Sequence, residues 1–432
     1  MRFSILIPTF ERAALIGQAI ESALAQTYAD REILVIDDGS NDATQAVASR
    51  YAPAVGYLRQ ENRGKAAAAN LGLAAASGDA ILVLDDDDLL PPTAVADHAA
   101  ALEGDRRAEF SYGRYVRFTG QSQPQAADLW DNEPIPSRDP RRLVVRLMER
   151  CFLPHPTWAV RREAQLSVGP YDETLKRSQD YQMIVRLARR GEGAFVDARV
   201  LYQRQHLALR GPASERTLVE HSIDKWIAYD AAFFRKLDQD WRPEDFTPFV
   251  VESPIDPALA GLQRGVILFQ RKVYDRAERA LRQYRRTLAE RAPSSDERRI
   301  AAGLLGCQYG LAELADRGAA GGAIADWLRR LDWPLSLRVA FASQTRWRVR
   351  AAIERGDPRL AAALFRFSAD AFGAAATLAV MGSKYSAGAS RWRAPSAADE
   401  GRFHDCRTLW MRSARRGGAS QTQSPTRNAL RL

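Results

Sequence analysis

Glu32-Ile33-Leu34-Val35-Ile36-Asp37-Asp38-Gly39-Ser40 is the stretch on which the fold turns. Its uninterrupted aliphatic run reads as a strand covered on both faces, and the acids and glycine behind it form a turn. Working outward, Phe3-Ser4-Ile5-Leu6-Ile7 reads as an earlier strand ended by Pro8-Thr9. Between the two, Leu15, Ile16, Ala19, Ile20, Ala23 and Leu24 fall on one helical face. On the far side, Asn41 or Asp42 can cap a helix running to about Tyr51. Val55–Arg59 is a third strand, Gly64–Ser77 a helix of small residues, and Ala80–Leu84 a fourth strand ending in four aspartates. Repeated βα units of this length predict a mostly parallel sheet flanked by helices.

The pattern continues to about residue 210, with strands over Glu109–Phe118 and Phe195–Tyr202 and a helix over Asp180–Arg190. An α/β domain over 1–210 is therefore expected. Beyond it, Leu262, Val266, Phe269, Val273, Ala277, Leu281, Tyr284 and Leu288 recur every three or four residues. Ser294 and Glu297 have the form of a capping box before a helix expected to carry Leu304, Leu305, Leu311 and Leu314. Asp357-Pro358 opens another through Leu360, Leu364 and Phe365. These patterns predict a mainly α-helical region over 211–384, followed by a basic tail over 385–432 with too little apolar periodicity to fold.

At 432 residues the chain is too long for one ordinary core, and 46% hydrophobic with 27% charged residues is globular composition. The net charge of +9 could suggest nucleic acid, but its location argues otherwise. From Tyr385 onward there are nine Arg against Asp399, Glu400 and Asp405, a surplus of +6, leaving only +3 for the rest. Such a tail fits either a peripheral contact with an anionic membrane surface or a plain solvated segment, and no nucleic-acid partner is expected. The longest uncharged runs, Ala66–Gly78 and Ala371–Ser383, hold 13 residues each. A membrane-spanning helix needs about 20. Three scattered cysteines and no signal-peptide layout make a cytoplasmic location the expectation.

In a parallel sheet all strands end on one edge, so Asp37-Asp38 and Asp85-Asp86-Asp87-Asp88 converge there, where open α/β sheets bind ligands. Two carboxylates about 4 Å apart repel by about 4 kcal/mol at an effective dielectric near 20. A hard divalent cation, Mg²⁺ or Mn²⁺, held by one or two carboxylates and substrate phosphates would offset that cost. A solvated acidic loop or a calcium site are the alternatives, though the alternate ligand spacing of a calcium loop is missing. The turn after the first strand has no G-x-G-x-x-G, and no P-loop occurs.

Ile7-Pro8-Thr9-Phe10, Val35-Ile36-Asp37-Asp38-Gly39-Ser40-Asn41-Asp42, Asn62-Arg63-Gly64 and Leu84-Asp85-Asp86-Asp87-Asp88, in this order and spacing, resemble the family-2 glycosyltransferases of the GT-A fold. The resemblance implies a Rossmann-like sheet and a nucleotide-diphosphate-sugar donor, with UDP the family's commonest nucleotide. It places Pro8, Thr9 and Glu11 along the nucleotide pocket, Asp38 at the base or ribose, and Asn62, Gly64 and Lys65 in the segment closing over the nucleotide. Asp85 and Asp87 match the family's D-x-D, with Asp87 as the direct metal ligand, Asp85 nearer the ribose, Asp86 in the variable position and Asp88 supporting the loop.

Gly169-Pro170-Tyr171-Asp172-Glu173 and Ser178-Gln179-Asp180-Tyr181 resemble the acceptor-side motif, which makes Asp180 the general base of an inverting, non-processive transfer to a glycan or lipid-linked hydroxyl. Two departures are Gln179, where the family has Glu, and Ala69 before Asn70, where it often has Arg. His206 is expected to approach the diphosphate or metal, or to be structural; His155 to border the acceptor pocket; Trp158 to be core. Gln344-Thr345-Arg346-Trp347 is one residue short of the processive Q-x-x-R-W. The rival classes are a sugar-1-phosphate nucleotidyltransferase, whose glycine-rich loop is missing, and a non-catalytic helical adaptor, against which the intact Asp85, Asp87 and Asp180 argue.

Overall fold

The computed structural model describes residues 1–120, 124, 130–131, 140–205, 222–248, 256–314 and 320–382. His206 and the basic tail lie outside the described residues.

The α/β region opens with β1 (Phe3–Thr9), α1 (Ile16–Leu24), β2 (Arg31–Asp37), α2 (Thr44–Ser49), β3 (Gly56–Arg59), α3 (Lys65–Ala75) and β4 (Ala80–Val83). It continues with α4 (Ala94–Gly104), β5 (Ala108–Thr119), β6 (Trp130–Asp131), α5 (Pro140–Glu149), β7 (Trp158–Arg161), α6 (Arg162–Val168), α7 (Gln179–Arg190) and β8 (Glu192–Gln205). The eight strands form one sheet in the order β3-β2-β1-β4-β7-β5-β6, with β8 also paired to β5. Strands β1 to β4 run parallel to one another, β7 is antiparallel to β4 and β5, and β8 is parallel to β5. This is the mostly parallel, helix-flanked sheet that the sequence pattern predicts.

Side chains alternate across the sheet, and both faces are buried. Ile5, Ile7, Val35 and Leu82 pack with Ile16, Ile20 and Val95 in one core cluster. Leu6, Ile36, Ile81 and Val83 pack in the other, which runs on through α5 and α7 into the helical region. That double covering explains the unbroken apolar strands, because each fully buried aliphatic side chain contributes about 1.5–3 kcal/mol.

The helical region comprises α8 (Ser222–Asp240), α9 (Pro257–Gln270), α10 (Tyr274–Leu288), α11 (Ser295–Ala301), α12 (Ala320–Arg330), α13 (Leu335–Ala342), α14 (Thr345–Glu354), α15 (Pro358–Phe372) and α16 (Ala374–Gly382). The periodic run from Leu262 to Leu288 covers two helices, α9 and α10, and Lys272 between them takes a positive φ of 59°. One expectation needs correction. Leu304, Leu305, Leu311 and Leu314 are buried but lie beyond the end of α11, in turns and a short 3-10 segment. Gly303, Gly306 and Gly310 interrupt that stretch, Gly310 with a φ of 76°. The capping box at Ser294 and the Asp357 cap are present as expected. Among the described residues, no helix is long and apolar enough to cross a membrane.

Candidate active site

Register puts Thr9 at the end of β1 beside Asp37 at the end of β2. Asp37 is spent on the turn: its carboxylate accepts from Ser40 N at 2.8 Å and from the Tyr57 hydroxyl at 2.5 Å. Asp38, also buried, holds the next loop. It accepts from the Gln60 side-chain amide at 2.7 Å, Arg63 N at 2.9 Å and Gly64 N at 2.8 Å. Gly39 has a φ of 83°, and a β-carbon there would stand 2.9 Å from Asn62 N, so only glycine lets the 60–64 loop close onto Asp38. Pro8 and Thr9 are buried, Asn62 is exposed, and Glu11 N donates to Ser40 Oγ at 2.8 Å. These expected nucleotide-pocket residues thus share one sheet edge.

The four aspartates leave the end of β4 on the same edge. Ligand atoms of Asp85, Asp87 and Asp88 lie within 4.8 Å of one another. Cations surround them: Lys65 Nζ is 2.5 Å from Asp85, and Arg12 is 3.7 Å from Asp86 and 4.0 Å from Asp87. Burial, then the charge of Asp87, push the Asp86 carboxyl up to about 7, against the pull of Arg12 and the Thr9 hydroxyl. Burial raises Asp85 as well, and Lys65 opposes it. Burial disfavours the Lys65 charge, yet Asp85, Asp180 and Asp87 outweigh it and hold its pKa above the ordinary value. The donor set is all carboxylate oxygen, which suits a hard divalent ion. Asp85 and Asp87 are partly exposed and fit such an ion; Asp88 is buried, with Oδ1 accepting from Arg204 N at 2.7 Å.

Asp180 occupies the first turn of α7, where the helix dipole favours a negative charge. Its carboxylate contributes to the field at both Lys65 and Asp85, which puts the expected base near the D-x-D. Asn70 bridges the two sides. It accepts from Tyr171 N at 2.8 Å and donates to Tyr171 O and Glu173 Oε1, both at 3.0 Å. Arg63 Nη2 donates to Glu173 at 2.7 Å, which ties the donor loop to the acceptor-side segment. His155 is buried; its Nε2 is 2.7 Å from the Tyr171 hydroxyl and its ring lies 4.9 Å from Trp158. Burial, and then the Lys65 charge, hold this imidazole well below its usual pKa, so it is neutral. Trp158 is core, and Gln179 is buried with its Oε1 unpaired among the described residues.

Sequence reasoning missed Arg204. Its guanidinium, almost fully buried, donates from Nε to Asp87 O at 2.8 Å and from Nη2 to Gln18 Oε1 at 2.8 Å, and a third bond reaches Gly120 O. It also lies 4.5 Å from the centroid of the Phe118 ring. Its neighbourhood is assembled from α1, β5 and the end of β8, and an arginine-rich sequence offers nothing that singles it out.

The family model described as Glycosyl transferase family 2 matches residues 4–166. The chain is 30% identical over 256 residues to the succinoglycan biosynthesis protein ExoO of Rhizobium meliloti, covering 55% of this chain and 69% of that one. It is 27% identical over 244 residues to an uncharacterized glycosyltransferase of Rickettsia typhi, covering 54% and 72%. The chain belongs to glycosyl transferase family 2, and it is a glycosyltransferase. Among solved structures, S. aureus TarS 1-349 in complex with UDP-GlcNAc superposes with a TM-score of 0.47 at 15% identity, over 86% of this chain and 90% of that one.

Proposed function

We propose that this enzyme moves one sugar from a UDP-sugar donor to a hydroxyl of a glycan or lipid-linked acceptor in polysaccharide assembly, inverting the anomeric carbon. The observation that carries the reading is the meeting at Lys65, which pairs with Asp85 from the end of β4 and feels Asp180 from the start of α7. Its position ties a donor-side carboxylate to an acceptor-side one. The likeness to a succinoglycan biosynthesis protein supports a polysaccharide product.

In this reading Asp180 accepts the proton of the acceptor hydroxyl as that oxygen attacks the anomeric carbon. The bond from that carbon to the diphosphate oxygen breaks, and its electron pair leaves with UDP. Asp87, with Asp85, would hold Mg²⁺ or Mn²⁺, which when bound neutralises charge on the diphosphate. Pro8, Thr9, Glu11, Asn62, Gly64 and Lys65 line the donor side, and Asp86 stands beside Arg12. Asp38 acts chiefly by fixing the 60–64 loop, with its remaining acceptor capacity toward the nucleotide. We assign residues 1–210 to the transferase domain, 211–384 to a helical domain, and 385–432 to a tail contacting an anionic membrane surface from the cytoplasmic side.

The test pairs a binding readout with an activity readout. UDP with Mn²⁺ should raise the melting temperature of the wild type and of Asp180→Asn, but not of Asp87→Ala. Transfer, followed by UDP release across a panel of UDP-sugars and acceptors, should fall by about 10²–10⁴ in Asp180→Asn. An Asp180→Asn enzyme with wild-type turnover would remove the assigned base. Binding to anionic vesicles that survives deletion of residues 385–432 would remove the membrane assignment.

A further inference from the structure

The two residues that flank Asp180 at positions 178 and 181 are both gripped by the helical region. Ser178, which precedes α7, adopts a left-handed conformation with φ 60° and ψ 15°, strained for any residue that has a β-carbon. Its hydroxyl donates to Asp230 Oδ1 on α8 at 2.7 Å. Tyr181 is buried between Phe233 and Phe234 of α8. Its hydroxyl accepts from Arg271 Nη2, just past α9, and donates to Leu147 O, both at 2.5 Å.

Asp230 and Arg271 are themselves joined. Arg271 Nη1 lies 3.5 Å from Asp230 Oδ2, which also accepts from the Tyr309 hydroxyl at 2.5 Å. Arg271 Nε donates to Met148 O at 2.6 Å, and its guanidinium lies 5.3 Å from the centroid of the Tyr181 ring. Both side chains are almost wholly removed from solvent. The desolvation penalty of such a pair consumes most of its Coulombic gain, so its effect on geometry outweighs its net contribution to stability.

We propose that the Asp230–Arg271 pair is a positioning device for Asp180: Asp230 fixes Ser178, Arg271 fixes Tyr181, and together they set where the first turn of α7 delivers the carboxylate. The helical region is then a working part of the catalytic centre. This inference rests on the assignment of Asp180 as base. It predicts that loosening the pair leaves the donor side intact while slowing proton removal.

Asp230→Asn keeps an acceptor for Ser178 but discharges the pair. Its turnover in single-turnover transfer, with the UDP-sugar and acceptor found by the release screen, should drop by about 10²-fold, the cost of a misplaced reacting group. Its affinity for UDP with Mn²⁺ should stay within about twofold, since ground-state binding is untouched. The decisive measurement is a double-mutant cycle. Asp180→Asn/Asp230→Asn should be no slower than Asp180→Asn, because a missing base cannot be misplaced. Additive losses, or wild-type turnover in Asp230→Asn beside a crippled Asp180→Asn, would overturn the positioning role while leaving the base assigned. Wild-type turnover in Asp180→Asn would instead overturn the base. If Asp230→Asn fails to fold, Ser178→Ala and Tyr181→Phe leave the ion pair in place and enter the same cycle with the same expectations.

Discussion

Asp38 and the Asp85–Asp88 run leave the ends of β2 and β4, and the hydrogen bonds that hold Asp38 come from residues 22 to 26 positions away. Asp180 leaves no strand. It sits at the start of α7, between a serine held by a residue 52 positions distant and a tyrosine held by one 90 positions distant. The donor side of the crevice is therefore local architecture, a product of strand ends and short turns, whereas the base side is tertiary architecture. A βα unit forms its own phosphate-facing edge; a carboxylate that must face that edge from a separate helix needs an external brace. The helical region supplies that brace through α8 and α9, where it shares one core with the sheet.

The sharpest way to break this contrast is through the long-range tie that Arg204 makes to the donor side. Arg204→Met deletes donors to Asp87 O, Gln18 Oε1 and Gly120 O at a site almost closed to solvent. Removing one member of a buried charged network typically costs about 3–5 kcal/mol. The expected outcome is a large fall in melting temperature together with weakened stabilisation by UDP and Mn²⁺, since the D-x-D loop loses its anchor. If stability falls but the UDP response stays intact, the loop is self-supporting and the donor side is more local still.

The contrast also explains what could be read from the chain. Asp38, Asp85 and Asp87 were legible because an apolar strand followed by acids fixes their position on the sheet edge with no knowledge of distant residues. Asn70 stood in plain view after a run of alanines, but its bonds to Tyr171 and Glu173 span about a hundred residues. Asp230 and Arg271 carried no pattern at all: each is a charged residue in or near a helix, as dozens of others are. The break after α9 was hidden for a related reason, because the apolar period continues across Lys272 while the backbone takes a positive φ there. Gly303, Gly306 and Gly310 were the signal that Leu304–Leu314 is not one α-helix, and apolar spacing outweighed it. Periodicity reports which side chains are buried, and it is silent on whether the helix that buries them is one or two.

A smaller effect probes the exposed edge of the brace. Lys236 on α8 reaches Asp172 of the acceptor-side segment at 2.6 Å, and Thr174 donates to the same carboxylate from its N at 3.0 Å and its hydroxyl at 2.6 Å. Burial works to raise the Asp172 pKa, but the bonds from Lys236 and Thr174 prevail and hold it down at about 2. A carboxyl depressed in the folded state contributes stability above its unfolded pKa, near 4, and that contribution drains away as the pH falls towards 2. Half of the lysine side chain is in solvent, so the pair contributes less than about 1 kcal/mol. Lys236→Met should therefore melt slightly below the wild type at neutral pH, and the difference should close between about pH 4 and pH 2. A difference that persists in acid would assign the effect to the packing of the lysine stem on α8. The charge would then add nothing, and the brace on Asp180 would rest wholly on its buried members.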